Sequence, residues 1–129
     1  TEIEVLLRTA REVAQERGGR VLVLFQPHLF SRTRAFADRF GQALALADAV
    51  VVTDVYPARE TQADFPDITG DTVAQRVPGG TARFVAERLD AAHAVAGDVT
   101  ELAGTVLGDL AAREGGAAPS PAADRDEQA

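Results

Sequence analysis

Two short stretches of this chain bring together side chains that could do chemistry. Gln26-Pro27-His28-Leu29-Phe30-Ser31-Arg32-Thr33-Arg34 sets an imidazole, a hydroxyl and two guanidiniums between an apolar run, Val21 to Phe25, and a segment of helical periodicity. Such a stretch suits an anion. A helix amino terminus offers unsatisfied N–H groups and the positive end of the helix dipole, and arginine is a forked donor matched to carboxylate or phosphate. Asp54-Val55-Tyr56-Pro57-Ala58-Arg59-Glu60 follows a second apolar run in the same way. If the two stretches are neighbours, their opposite charges could hold a zwitterion such as an α-amino acid. Its carboxylate would sit on Arg32 and its ammonium on acidic or carbonyl acceptors. The residues by themselves leave plainer readings open. Ser31 or Thr33 could simply be a helix N-cap, with His28 hydrogen-bonded and the arginines solvated, and Arg59 and Glu60 could be ordinary charges on a proline-punctuated surface loop.

Other chemistries find little purchase. His28 and His93 are far apart in a chain without cysteine, which argues against a metal site, and His93 is expected on a helix surface. There is no nucleophile elbow and no G-x-x-x-x-G-K-[ST] phosphate loop, and Gly97-Asp98 reads as a plain turn. A net charge of −7 and a pI near 4.7 disfavour nucleic acid as a partner, although Arg32, Arg34 and Arg39 form a local basic group able to serve one small anion. The apolar runs are too short to span a bilayer, and Thr1-Glu2-Ile3-Glu4 has no secretory character, so no membrane association is expected and the cytoplasm is the default location.

The elements that must position these stretches follow from periodicity. Ile3, Leu6, Leu7, Ala10, Val13 and Ala14 share a helical face, with Thr1 and Glu4 placed as a capping box and Gly18-Gly19 as the stop. Val21–Phe25 is a continuous β-favouring run of the kind buried on both faces of a parallel sheet, and Val50–Val55 is a second. Phe36, Phe40, Ala43, Leu44 and Ala47 mark the helix between them. A short helix over 72–77, a Pro78-Gly79-Gly80 turn, a brief strand over 83–85 and a helix over 86–96 come next. A final helix capped by Asp98 and Glu101 is expected to bury Val99, Leu102, Val106, Leu107 and Leu110. Alternating helices and apolar strands predict an α/β fold with a three-layer, mostly parallel, Rossmann-like sheet, and ligands at the carboxyl ends of its strands. From Gly115 the Gly, Ala, Pro, Ser and alternating charges predict a disordered tail.

The run from Phe25-Gln26-Pro27-His28 through Arg32-Thr33-Arg34 to Phe40, followed by Asp54-Val55-Tyr56-Pro57-Ala58-Arg59-Glu60, resembles the third domain of the Mur ligase family, in the branch that joins L-alanine to UDP-N-acetylmuramate. The resemblance extends to about residue 112. It implies a carboxy-terminal amino-acid-binding domain over residues 1–112 with a tail over 113–129. It also implies a part in an ATP-dependent C–N ligation of peptidoglycan synthesis, in which the muramate carboxylate is phosphorylated and the alanine amine attacks the acyl phosphate. L-Alanine and UDP-N-acetylmuramate are the implied partners, together with amino-terminal and central ligase domains. ATP and magnesium are implied for the whole enzyme, and no cofactor or independent catalysis for this chain alone. By motif position His28 and Arg32 would lie at the alanine and acyl-phosphate end of the cleft, Arg32 as carboxylate or oxyanion partner. Tyr56 and Glu60 would line or support the second loop, with Ser31, Arg34, Asp54 and Arg59 as support.

Three departures from the family pattern stand out. Leu29 occupies the place where relatives carry an arginine after the histidine. The opening strand and His-His-Pro motif would precede Thr1, so the chain is expected to begin inside the domain. Between Ala96 and Gly97 an expected glycine turn and strand are absent. A sheet short of two strands predicts a marginal chain, or one that pairs its open edges with another. Two other readings compete: a non-catalytic α/β interaction module derived from this domain, and an unrelated doubly wound domain. The latter would need clustered acids at the strand ends, where Asp54 stands almost alone.

Overall fold

The computed structural model describes residues 2–101, in a chain that divides into two units, residues 1–96 and 97–129. The capping role expected of Thr1, the burial of Leu102, Val106, Leu107 and Leu110, and the tail lie outside the described residues. In the first unit α1 (Glu2–Arg17) leads into β1 (Leu22–Phe25), α2 (Phe30–Leu44), β2 (Ala49–Val52), α3 (Gly70–Ala74) and β3 (Ala82–Phe84). The strands form a parallel sheet in the order β1-β2-β3, with Val23 opposite Val50 and Val52 between Phe25 and Phe84. This is the expected α/β, Rossmann-like arrangement in a small form.

Register explains the core. Alternate residues of a strand share a face, so Val23, Phe25, Val50, Val52, Ala82 and Phe84 point together. They pack with Leu7 of α1, Ala37, Phe40 and Leu44 of α2, and Val73 and Ala74 of α3. Each large apolar side chain so enclosed contributes about 1.5–3 kcal/mol relative to exposure. β2 has a strand on either side, and its three valines are buried on both faces. β1 does not match its expected burial on both faces. It stands at one end of the described sheet, and Leu24, on the face away from α1 and α2, is 43% exposed. α1 likewise buries a narrower stripe than expected. Ile3, Leu7, Ala10 and Ala14 pack inward, while Leu6 and Val13 are exposed, because one neighbouring layer covers only the i, i+4, i+7 row.

Smaller differences have local causes. α3 starts two residues before the expected Thr72 because Thr69 caps it, in a reciprocal pair in which Thr72 Oγ1 accepts from the Thr69 amide at 3.1 Å. β3 runs one residue earlier than expected. Residues 88–101 are all helical, so the turn expected at Gly97-Asp98 and the capping box of Asp98 and Glu101 do not form there, and Val99 is exposed. A single glycine in a run of helix formers lowers helix stability by about 1 kcal/mol without ending the helix.

Candidate functional site

The two stretches leave the sheet side by side at the carboxyl ends of β1 and β2. Hydrogen bonds continue the ladder past the strands: the Thr53 amide donates to Phe25 O (2.9 Å), the Tyr56 amide to Pro27 O (2.8 Å) and the Leu29 amide to Tyr56 O (2.9 Å). His28 and Tyr56 thereby face each other across an isolated parallel bridge, their rings stacked at 5.5 Å between centroids and 22° between planes. Both are exposed, Tyr56 by half. Beneath them a second small core of Phe30, Val55, Ile68 and Phe65 supports the loop on its way to α3. Gln62 pins that loop by donating to the carbonyls of Phe65 (2.7 Å) and Ile68 (2.9 Å).

The amino terminus of α2 is closed from within the protein. Its N-cap position is Leu29, at φ 69° and ψ 134°, and no side chain of its own caps it. Neither serine nor threonine therefore plays the cap role the sequence offered them. Thr33 is fully buried and turns back, its Oγ1 donating to Leu29 O at 2.8 Å. Ser31 presents its amide to Glu60 Oε1 (3.0 Å) and its hydroxyl to Glu60 Oε2. A carboxylate of the second loop thus sits where the sequence suggested an external anion, against the positive end of the helix. The hydrogen bonds from Ser31 hold the Glu60 carboxyl below its usual range, the hydroxyl foremost and the amide next, against a smaller opposing effect of desolvation.

The arginines part company. Arg34 is committed to the loop before α3, pairing with Asp67 at 2.9 Å and lying over the Phe65 ring at 4.9 Å. Arg32 and Arg39 instead flank Phe36, 5.5 and 5.9 Å from its centroid. With Glu2, Ile3, Phe36 and Phe40 they line a groove of about 360 Å³. Neither forms an ion pair with a described residue. Asp54 is used internally: its Oδ1 accepts from the amides of Val55 (2.9 Å) and Gly70 (3.0 Å), fastening the end of β2 to the start of α3. Arg59 is exposed beside Glu60.

The structure therefore brings His28 to Tyr56 and Ser31 to Glu60, sends Arg32 to the groove beside Phe36, and gives Arg34 and Asp54 structural partners. Sequence reading missed Phe36 as the surface on which Arg32 and Arg39 lie, although the spacing 32, 36, 39 on one helix contains that signal. It also missed Asp67 and Gln62, for which no local pattern exists. Among the described residues no three His, Asp or Glu side chains converge as metal ligands would, and no helix is long and apolar enough to cross a membrane.

No family model matches the chain. Curated relatives do. The UDP-N-acetylmuramate–L-alanine ligase of Kineococcus radiotolerans is 52% identical over 129 aligned residues, covering 88% of this chain, and that of Mycolicibacterium smegmatis is 40% identical over 95% of it. The ligase of the same name from Cutibacterium acnes is 48% identical over 77% of the chain. The chain belongs to the Mur ligase family. It spans only 26% and 28% of the first two relatives, and aligns with a carboxy-terminal portion of them. The Mur ligase resemblance carried by the His28 to Arg34 and Asp54 to Glu60 stretches thus falls in the part of the family in which the whole chain lies.

Proposed function

We propose that this chain is the carboxy-terminal, amino-acid-presenting part of an ATP-dependent ligase that joins L-alanine to UDP-N-acetylmuramate in peptidoglycan synthesis, and that its work is cytoplasmic. The observation that carries this reading is the junction at the ends of β1 and β2, where His28 and Tyr56 stack beside the Arg32 helix in a chain aligned with the ends of ligases of that name. Arg32, with no carboxylate partner among the described residues, is the cation for the amino acid's carboxylate. His28 and Tyr56, both open to solvent, provide an imidazole and a phenol beside the incoming amine. Glu60 supports this arrangement from Ser31, and Arg34 and Asp54 hold the surrounding loops.

This chain spans 26% and 28% of two of the ligases it matches, and its sequence carries no phosphate loop. We assign the ATP, magnesium and nucleotide-sugar sites to the remaining length of the ligase, where the acyl phosphate would form. This chain's part is to hold the amino acid by its carboxylate so that the amine is free to attack.

The test is steady-state kinetics of the full-length polypeptide that carries this chain, following phosphate release as L-alanine is varied. Arg32→Ala removes a charge-assisted contact of about 1.5–3 kcal/mol, so kcat/KM for L-alanine should fall about 10- to 150-fold. His28→Ala should fall in the same direction. Unchanged alanine kinetics in both variants would reject the assignment.

A further inference from the structure

We propose that Glu60 is a positioning residue for the amino-acid site: its carboxylate, held by the amide and hydroxyl of Ser31, keeps two strained strand-end loops in register so that His28 and Tyr56 keep their stacked place at that site. The proposal rests on the amino-acid reading above.

Four hydrogen bonds join residues 27–31 to residues 56–60. Two are backbone bonds next to the sheet, Tyr56 N–H to Pro27 O and Leu29 N–H to Tyr56 O. The other two lie at the far end of the loops, and both belong to the Glu60 carboxylate. Among the described residues the only non-glycine positions with positive φ are Leu29 (69°) and Ala58 (53°), one in each loop. Such conformations persist only where the surroundings over-determine them, and they gather at sites that need preorganisation. Leu29 is fixed on both sides: its amide donates to Tyr56 O, and its carbonyl accepts from the Thr33 amide (3.0 Å) and from Thr33 Oγ1.

Ala58 has no comparable set of bonds. It lies inside a turn closed by the Glu60 amide donating to Pro57 O at 2.9 Å, and that turn brings the Glu60 side chain back to Ser31. Release of the carboxylate would let Ala58 relax toward negative φ and open the turn that follows Tyr56. The ring stacked on His28 would then lose its fixed place. The same contact fills the amino terminus of α2, one residue before Arg32. An incoming carboxylate is therefore directed to the Arg32 guanidinium rather than to the helix end.

The experiment uses the full-length polypeptide carrying this chain, with KM for L-alanine and kcat measured separately and the thermal midpoint recorded for each variant. Glu60→Ala should raise KM for L-alanine about tenfold, with a smaller change in kcat and a thermal midpoint close to wild type. Glu60→Gln can still accept from the Ser31 amide and donate to its hydroxyl, so it should stay within about threefold of wild type. Ser31→Ala should raise KM about threefold, and the Ser31→Ala, Glu60→Ala pair should be no worse than Glu60→Ala alone, as for two ends of one contact. If Glu60→Ala fails to fold, Glu60→Gln and Ser31→Ala carry the same comparison. A Glu60→Gln variant as impaired as Glu60→Ala would mean that the charge itself touches substrate, which overturns the positioning role. So would a normal KM in Glu60→Ala while His28→Ala and Arg32→Ala are impaired, an outcome that leaves the amino-acid reading standing. Normal alanine kinetics in all of these variants would sink both.

Discussion

A carboxylate that accepts from both the amide and the hydroxyl of one serine is an internal anion, and its protonation should be felt where it sits. Glu60 has its carboxyl held below the ordinary glutamate value near 4.5 by Ser31. A depressed folded-state pKa means that the contact contributes fully above the unfolded value and is lost as pH falls through the folded one. The Ser31 amide reports this directly. Its hydrogen-exchange protection, corrected for the intrinsic rate, should be high at neutral pH and collapse in the acid range. In Glu60→Gln it should be lower at neutral pH and nearly flat. A wild-type amide whose protection ignores pH across that range would contradict the assignment. Glu4 and Glu87 are shifted in the same direction, Glu4 by its hydrogen bond to Arg8 and Glu87 by the amides of Leu89 and Asp90, so a global acid transition would not isolate Glu60. At this scale the sequence was informative about residue types and less so about their partners. His28 and Tyr56 could be named as neighbours only through a supposition about the loops. That Ser31 would turn to Glu60, 29 positions away, has no local signature.

Elements are held at distances that two glycines permit. At Gly70, the first residue of α3, a Cβ would overlap the Thr53 carbonyl at the end of β2, and at Gly41 of α2 it would overlap the Arg76 carbonyl just after α3. These close approaches place α3 so that Asp54 can reach the Gly70 amide and so that the 54–68 loop returns to the sheet under the site. Gly70→Ala and Gly41→Ala should each lower stability by about 1–3 kcal/mol, as overpacking does. Urea unfolding would measure it, and a variant with a wild-type midpoint would show that the backbone can shift without loss. The helical periods of α1 and α2 and the β-branched run of β2 were legible from sequence, because they depend on spacing within a few residues. The start of α3 was misplaced by two residues because its position is set by Thr69 and by Asp54 across the fold.

For the whole molecule, burial separates residues that look alike in the sequence. Leu6 and Leu44 both lie in the apolar periodicity of their helices, yet Leu6 is 67% exposed and Leu44 is fully enclosed between α2 and the sheet. Leu44→Ala should cost about 2–5 kcal/mol, and Leu6→Ala less than about 0.5 kcal/mol. Chemical denaturation that ranked them equally would mean that Leu44 does not carry the core. The sequence by itself determined the fold class, the order of helices and strands, the two strand-end loops and the Mur ligase resemblance. Each of these rests on short-range pattern or on motif identity, which survive without coordinates. Only the tertiary structure decided that β1 is half open while β2 is enclosed, that Arg34 and Asp54 are structural while Arg32 and Arg39 share a groove, and that Glu60 fills the α2 amino terminus. Those outcomes depend on which side chains meet across tens of residues, and the chain makes them meet only by folding.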